Sequence, residues 1–222
     1  MGIKDNTVSS ENQMVNSSEL SFLGNEQAKT RILVVGNSIT RHGPCQEIGW
    51  NADWGMAASE SEKDYVHRLY AKLTKNGQDV RMRIRQASYW ETHFLEENIL
   101  SKYEEERNFH ADIVIFRLGE NVINAKAENK PYFEQALEKF IDYIAPTAKK
   151  VVFTTCFWNY PDIDRAIQGV AQKRGDVCLN CNFSIDKTNM AGASFWHRGV
   201  AIHPSDKGME AIADIIFQSI KK

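Results

Sequence analysis

The chain has 222 residues, of which 42% are hydrophobic, enough for one globular domain with a sizeable core. Its 27 Lys and Arg residues nearly balance its 29 Asp and Glu residues and form no basic stripe, which argues against a nucleic-acid partner. No apolar run approaches the roughly 18 residues of a membrane span, so we expect no such span.

The first segment, residues 1–28, is polar and lacks the apolar core that a signal peptide needs. We expect this segment to form a flexible N-terminal arm, or to dock on the domain through Leu20, Phe22 and Leu23. Without a visible signal the cytoplasm is the default compartment. The localisation stays open, because a signal could have been removed from the chain.

Apolar strand-like segments alternate with stretches of helical periodicity along the rest of the chain. In chain order the predicted elements are a strand at Ile32–Val35, a helix from Ser61 to Leu73, a strand at Val80–Ile84, a helix from Glu91 to about Tyr103, a strand at Ile113–Leu118, a helix from Pro131 to Ile144, a strand at Val151–Thr155, a weaker strand at Val177–Leu179 and a helix after Ser205.

This alternation predicts a parallel sheet with helices on both faces. The nearly continuous apolar runs fit strands that are buried on both sides. No proline-rich linker divides the chain. We therefore predict a single α/β domain over residues 29–222, with three layers in the order α/β/α and a mostly parallel five-stranded sheet.

Polar segments follow the predicted strands, at the edge where open α/β sheets carry their functional sites. These segments are Gly36-Asn37-Ser38, RQASYWE (85–91), RLGENV (117–122) and CFWNYP (156–161), with HRGVAIHPSDKGM (197–209) near the end. Because the carboxyl ends of parallel strands share one edge, we expect Ser38, Asn121 and His203 to lie within reach of one another. Together they provide a nucleophile, an amide donor and a base.

The four cysteines, Cys45, Cys156, Cys178 and Cys181, are too few for a disulfide framework. Cys178 and Cys181 form a single C-x-x-C without a second pair of metal ligands. We expect structural thiols in preference to a metal or redox site, and no cofactor.

The segments at the strand ends resemble the sequence blocks of the SGNH or GDSL-type hydrolases. Three of the blocks of that family, Gly-Asp-Ser, Gly-x-Asn-Asp and Asp-x-x-His, are similar to Gly36-Asn37-Ser38, Gly119-Glu120-Asn121-Val122 and Val200-Ala201-Ile202-His203. Ser88 is the best match to the glycine of the second block. The blocks occur in the family order, and Pro204 and Gly208 after the histidine are typical of the family.

The resemblance implies a flavodoxin-like SGNH-hydrolase fold and an esterase in which Ser38 is the nucleophile and His203 the base. A serine hydroxyl needs such a base to take its proton. The resemblance also implies that the N–H groups of Ser38 and Ser88 and the side chain of Asn121 bind the oxyanion. Losing one donor of this kind typically costs about 10²–10³ in rate.

Each of these residues also has a structural explanation. Ser38 could cap a helix, Asn121 could occupy a turn, and His203 could be a hydrogen-bonded histidine before a helix. We favour the catalytic interpretation because the three residues occur together, each at its place in the block order.

Val200 stands where the family has the aspartate that orients its histidine. Either another acid, such as Glu120 or Asp206, takes that place, or a main-chain carbonyl does, or the site is inactive. We expect a carbonyl, since some members of the family that the chain resembles work as Ser-His dyads with a carbonyl partner.

The long connection from Arg41 to Glu60 follows the predicted nucleophile, and loops of this length are often functional. We expect Arg41, Trp50 and Trp54 to bind substrate. The tryptophans either form platforms for sugar rings or anchor the loop to the core. The resemblance is closest to members thought to act on acylated carbohydrate, which suggests removal of acetyl groups.

Two hypotheses remain from different classes. The first is an esterase that hydrolyses short acyl esters of a small molecule or a saccharide. The second is a non-catalytic carbohydrate-binding relative that kept the fold and lost the acid of the triad. A nucleotide-binding protein is disfavoured, because Gly36 and Gly43 fit neither phosphate-binding glycine pattern. The oligomeric state stays open.

Overall fold

The computed structural model describes residues 21–221. At its centre lies a six-stranded sheet with the order β1-β3-β2-β4-β5-β6. The strands are β1 (Ser21–Leu23), β2 (Thr30–Gly36), β3 (Val80–Gln86), β4 (Ile113–Arg117), β5 (Lys150–Thr154) and β6 (Val177–Leu179). Strands β2 to β6 run parallel to their neighbours, and β1 pairs antiparallel with β3.

The sheet has one strand more than the five that we predicted. The additional strand, β1, lies at the edge of the sheet, where Leu23 pairs with Met82 and the ring of Phe22 lies 6.0 Å from that of Phe109. A three-residue strand is too short to show a period in the sequence. It falls within the expected N-terminal arm, at the residues for which docking was the alternative. Residues 1–20, with Leu20, lie outside the described part of the chain.

Seven α-helices occur between residues 21 and 221. They are α1 (Tyr65–Lys75), α2 (Ser88–His93), α3 (Glu104–Asn108), α4 (Phe133–Ile144), α5 (Pro161–Arg174), α6 (Arg198–Ala201) and α7 (Asp206–Ile220). The predicted helix from Glu91 to Tyr103 is wrong as a single element. Asn98 adopts a left-handed backbone with φ +61°, which a continuing helix does not tolerate, and a 3-10 helix, Ile99–Tyr103, follows it.

The helices cover both faces of the sheet, which confirms the predicted three layers. Alternate residues of a strand point to opposite faces. Leu33 and Val35 therefore pack in the core beneath α4 and α5, whereas Ile32 and Val34 pack in the core beneath α1 and α7. Trp90 of α2 is fully buried in the first core, where its ring stacks on Phe140 at a centroid distance of 4.5 Å. This packing fixes α2 against the end of the sheet.

The central strands end at one level. Gly36, the last residue of β2, pairs with Gln86 of β3 on one side and with Arg117 of β4 on the other. A Cβ atom on Gly36 would lie 1.7 Å from Thr40 Oγ1, so only glycine allows the tight turn that follows β2. The segments after these strands consequently start side by side at the carboxyl edge, as the parallel sheet predicts.

In the described part of the chain, no helix combines the length and the apolar character that crossing a membrane requires. The four cysteines are free thiols, and Cys156 and Cys181 are buried. Across residues 21–221, no group of three or more His, Cys, Asp or Glu side chains is placed to hold a metal ion.

Candidate active site

Ser38 and His203 are in direct contact at the carboxyl edge of the sheet. Ser38 lies two residues beyond β2, and its Oγ atom is 2.8 Å from Nε2 of His203. Both side chains are largely buried, with 7% and 9% of the residue surface exposed. The predicted proximity of these two residues is confirmed, although 165 positions separate them in the chain.

A main-chain carbonyl orients the imidazole of His203. Its Nδ1 atom lies 2.6 Å from the carbonyl oxygen of Gly199 in α6. A carbonyl oxygen only accepts hydrogen bonds, so the ring proton resides on Nδ1 and the lone pair of Nε2 faces the Ser38 hydroxyl. This confirms the prediction of a carbonyl partner. Asp206 is engaged elsewhere, with the N–H and hydroxyl of Ser59, and the buried Glu120 accepts the N–H of Phe157.

Val200 belongs to α6, and its side chain packs in an apolar cluster. It is fully buried with Ile48, Trp50 and Met56. The position that is an aspartate in the family blocks is here part of a packed core. The group that orients His203 is therefore the carbonyl of the preceding residue, Gly199, and not the side chain at position 200.

Burial keeps the His203 imidazole neutral. Desolvation lowers the pKa of His203 to about 3, although the hydrogen bond to Gly199 opposes this shift. The nearby His42, Arg117 and His197 lower this pKa further, because a second positive charge is unfavourable beside them. The ring of Trp158 stands edge-on to His203 at a centroid distance of 5.2 Å. Trp158 lies in the segment after β5, and nothing in the sequence distinguishes it there from the neighbouring aromatic residues.

Asn37, which replaces the aspartate of the first block, bridges two buried glutamates. Its Nδ2 atom donates to Glu120 Oε2 at 2.6 Å and to Glu91 Oε1 at 3.2 Å, and its Oδ1 atom accepts from Arg117 Nη1 at 3.2 Å. An amide both donates and accepts, whereas a carboxylate only accepts. Asparagine therefore fits a position that faces two carboxylates and one guanidinium.

The buried cluster of Asn37, Glu91, Arg117 and Glu120 contains two carboxyl groups and only one guanidinium. The Arg117 guanidinium forms an ion pair with Glu120, whose Oε1 atom also accepts the N–H of Phe157 at 2.8 Å. Within residues 21–221, the hydrogen-bond partners of the Glu91 carboxylate are Asn37, Gly119 and Asn121, none of which is a cation. Burial raises the pKa of Glu91 to about 7, and the neighbouring charge of Glu120 adds to this rise. Apart from Arg117, which is three residues before Glu120, the partners of the two glutamates come from distant segments, so the sequence did not reveal these contacts.

Asn121 lies at this cluster, with Glu91 as its partner. Its Nδ2 atom donates to Glu91 Oε2 at 2.5 Å, and its backbone N–H donates to Oε1 of the same side chain at 3.3 Å. Asn37, next to Ser38, contacts Glu91 as well. An amide nitrogen carries two hydrogens, and Glu91 takes one of them.

Ser88 does not present the N–H that the family match implies. That N–H donates to the side-chain oxygen of Gln86 at 3.1 Å, and the hydroxyl of Ser88 accepts from Gln86 Nε2 at 2.6 Å. The residue is fully buried at the start of α2. The expected oxyanion role of Ser88 is therefore corrected. Within the described residues, the backbone N–H of Ser38 has no hydrogen-bond acceptor.

The long connection after Ser38 is held in place by the residues that we expected to bind substrate. Arg41 is buried and pairs with Asp53, with 2.7 Å between Nη2 and Oδ2. The indole of Trp50 is buried and donates to the carbonyl of His42 at 2.9 Å, and Trp54 packs edge-on against it at 5.9 Å. The structure favours the anchoring alternative for both tryptophans, and the Arg41 guanidinium is engaged by Asp53 within the same loop.

No family model matches the chain, and no curated protein matches its sequence. Solved structures do match. TesA aligns with a TM-score of 0.56 and 16% identity over 86% of this chain and 98% of its own. An acetyl xylan esterase, AlAXEase, aligns with a TM-score of 0.52 and 18% identity over 86% of this chain and 99% of its own.

A family two carbohydrate esterase from Clostridium thermocellum, solved in complex with cellohexaose, gives a TM-score of 0.56 and 14% identity. That alignment covers 89% of this chain and 65% of the esterase. Identities this low show a shared fold and do not transfer an activity. The order of the strands, the position of the Ser38–His203 pair and these alignments agree: the chain has the fold of the SGNH/GDSL-type hydrolases.

Proposed function

We propose that the protein is a serine esterase that removes short acyl groups, acetyl above all, from saccharide esters. The observation that carries the proposal is the 2.8 Å contact between Ser38 Oγ and His203 Nε2, with the Nδ1 proton of His203 held by Gly199. This tautomer leaves Nε2 free to accept the serine proton, which is what a general base must do.

In the proposed reaction, Ser38 Oγ attacks the ester carbonyl as its proton passes to His203 Nε2. The tetrahedral intermediate carries a negative oxygen, which the Ser38 N–H and the second Nδ2 hydrogen of Asn121 stabilise. His203 then gives the proton to the leaving alcohol, and an acyl-serine forms. Water, deprotonated by the same nitrogen, releases the carboxylic acid and regenerates Ser38.

A carbonyl partner makes this dyad weaker than a full triad. A carboxylate stabilises the imidazolium that forms during catalysis, and the neutral oxygen of Gly199 stabilises it less. The low pKa of His203, caused chiefly by burial, also disfavours the charged ring. We therefore expect modest turnover in which formation of the imidazolium contributes much of the barrier.

The surroundings of the dyad support a saccharide ester as substrate. Trp158 is partly exposed beside His203, where the leaving alcohol departs, and an indole packs well against a sugar ring. Two of the structures reported above are an acetyl xylan esterase and a carbohydrate esterase bound to cellohexaose.

Active-site labelling tests the proposal directly. A fluorophosphonate should phosphonylate Ser38, as located by mass spectrometry, and the protein should hydrolyse 4-nitrophenyl acetate. Ser38→Ala should abolish both while the circular dichroism spectrum stays that of the wild type. Ser101→Ala is the matched control, because Ser101 is exposed and its hydroxyl only donates to the carbonyl of Asn98. Wild-type turnover in Ser38→Ala would refute the nucleophile.

The non-catalytic alternative has two observations in its favour, the apolar Val200 and the occupied N–H of Ser88. A carbohydrate-binding protein of this kind would bind acetylated oligosaccharide in calorimetry without fluorophosphonate labelling. Labelling at Ser38 together with release of acetate from acetylated xylan would exclude it.

A further inference from the structure

Glu91 is a fully buried carboxylate that takes no direct part in the proposed dyad. It lies on α2, and every contact it makes at the site is with a hydrogen-bond donor. Its Oε1 atom accepts from the N–H of Gly119 at 2.6 Å and from the N–H of Asn121 at 3.3 Å. Its Oε2 atom accepts from Asn121 Nδ2 at 2.5 Å. One side chain thus binds both the backbone and the amide of Asn121.

The position of this carboxylate is itself fixed. Trp90, the preceding residue, is packed on Phe140 in the core, so α2 cannot shift without disturbing that core. Asn37 also donates to Glu91, which ties it to the segment that carries Ser38. The nucleophile segment and the Asn121 segment are therefore held against one rigid anchor.

We propose that Glu91 is a positioning residue that holds the Asn121 amide where the oxyanion forms and links the Asn121 segment to the Ser38 segment. This inference rests on the function proposed above. Stabilisation of an oxyanion depends on donors that are already in place before the charge develops, so loosening Asn121 lowers the rate of the chemical step more than substrate binding.

The ionised form of Glu91 is the one that fits its partners. All the groups that it contacts are N–H donors, and a protonated carboxyl group would place its own O–H against one of them. The titratable groups around it are Arg117 at the end of β4, Glu120 after β4, Cys156 after β5 and Tyr103 before α3. Burial raises the pKa of the Cys156 thiol and of the Tyr103 hydroxyl, so both stay neutral.

A pH dependence follows from this geometry. Burial and the charge of Glu120 raise the pKa of Glu91 to about 7, so acidification below neutrality protonates it and releases at least one of its bonds. We expect kcat to fall on the acid side of an apparent pKa near 7. His203 does not produce this limb, because its pKa lies near 3 through burial.

A double-mutant cycle with 4-nitrophenyl acetate tests the link between Glu91 and Asn121. Glu91→Gln removes one acceptor at constant shape and should lower kcat about 10- to 100-fold with KM within about twofold. In an Asn121→Ala background the same change should alter kcat less than about twofold, since its target is gone. The acid limb near pH 7 should disappear in Glu91→Gln.

Glu106→Gln is the matched control. Glu106 is also a fully buried glutamate, but it pairs with Arg83 at 2.7 Å, away from the Ser38 and Asn121 segments. The Glu106→Gln change should lower the melting temperature without changing kcat. Glu91→Asp, which keeps the charge and shortens the side chain, should lower kcat as Glu91→Gln does, and it takes the place of Glu91→Gln if that variant does not fold.

Several results would overturn the inference. These are an unchanged kcat in the folded Glu91 variants, multiplicative effects of the Glu91 and Asn121 changes, or a wild-type kcat that is flat between pH 6 and pH 8. A wild-type protein that neither hydrolyses the ester nor labels at Ser38 would remove the proposed function itself. If Ser38 is labelled but Glu91→Gln has the kcat of the wild type, only the proposed role of Glu91 is refuted.

Discussion

Single polar residues in the buried cluster are matched to the charges around them. Asn37 faces Glu91, Glu120 and Arg117, and it donates to the first two while accepting from the third. A residue that donates toward carboxylates cannot be exchanged for a carboxylate, even though the related block of the GDSL-type hydrolases has an aspartate there. Asparagine at position 37 and glutamate at position 120 are thus chemically matched, since the amide donates to the carboxylate.

Restoring the family residue should therefore harm the protein. Asn37→Asp brings a third carboxylate against Glu91 and Glu120 with only Arg117 to compensate, and we expect a loss of about 3 kcal/mol in the free energy of unfolding. Urea denaturation measures it. Asn76→Asp, at an exposed helix end, is the control and should change stability by less than about 0.5 kcal/mol. Equal stability of Asn37→Asp and the wild type would show that the cluster holds fewer charges than we infer.

At the scale of elements, the short helix α6 decides how His203 is oriented. Its Gly199 carbonyl binds the imidazole, while its Val200 side chain packs into the apolar cluster with Ile48 and Met56. The helix thus turns a carbonyl, and not the side chain at position 200, toward the histidine.

Val200→Asp should consequently fail to create a triad. The new carboxylate would be buried among apolar side chains while Gly199 still occupies Nδ1 of His203, so we expect a lower melting temperature and no rise in kcat. Val177→Asp, at a more exposed valine of β6, is the control for a valine-to-aspartate change. A faster Val200→Asp enzyme would mean that α6 can rotate its side chain toward the imidazole.

The connection from Arg41 to Glu60 and the segment after β5 have different parts in the site. Trp50 is enclosed by its own loop, whereas Trp158 is partly exposed next to His203. We expect Trp50→Ala to lower the melting temperature and to weaken hydrolysis of every ester alike.

Trp158→Ala should raise KM for acetylated xylo-oligosaccharide about tenfold and that for 4-nitrophenyl acetate much less. An equal rise in KM for both esters in Trp158→Ala would show that Trp158 is not a platform for the sugar.

At the scale of the whole molecule, two buried groups give the stability opposite pH dependences. His203 has a folded-state pKa of about 3 because of burial, below its ordinary value of 6.5, so its contribution is present above pH 6.5 and is lost as the pH falls toward 3. Glu91 has a folded-state pKa of about 7 because of burial, above 4.5, so its contribution is present below pH 4.5 and is lost as the pH rises toward 7.

Variants separate these two contributions. His203→Gln should flatten the decline of the melting temperature between pH 6.5 and pH 4, because no imidazole is left to be protonated on unfolding. Glu91→Gln should flatten the opposing trend between pH 4.5 and pH 7. Melting curves across this range measure both. If the melting temperature of His203→Gln still falls with decreasing pH as it does in the wild type, groups other than His203 cause that fall.

The sequence by itself determined the parallel strands, the layers and the residues at the carboxyl edge. Strand pattern and helical period are local properties, and the topology of a parallel sheet then places Ser38, which follows β2, at the carboxyl edge. It also allowed the prediction that a carbonyl holds His203, since an apolar residue at position 200 cannot.

Only the tertiary structure decided which side chains are buried and what they contact. Trp50 and Arg41 anchor their own loop, the N–H of Ser88 is taken by Gln86, and Glu91 reaches Asn121 across 30 positions. Such contacts depend on angstrom-scale distances between segments far apart in the chain. A residue type specifies what a side chain can bind, and the packing of the fold selects the one partner that it does bind.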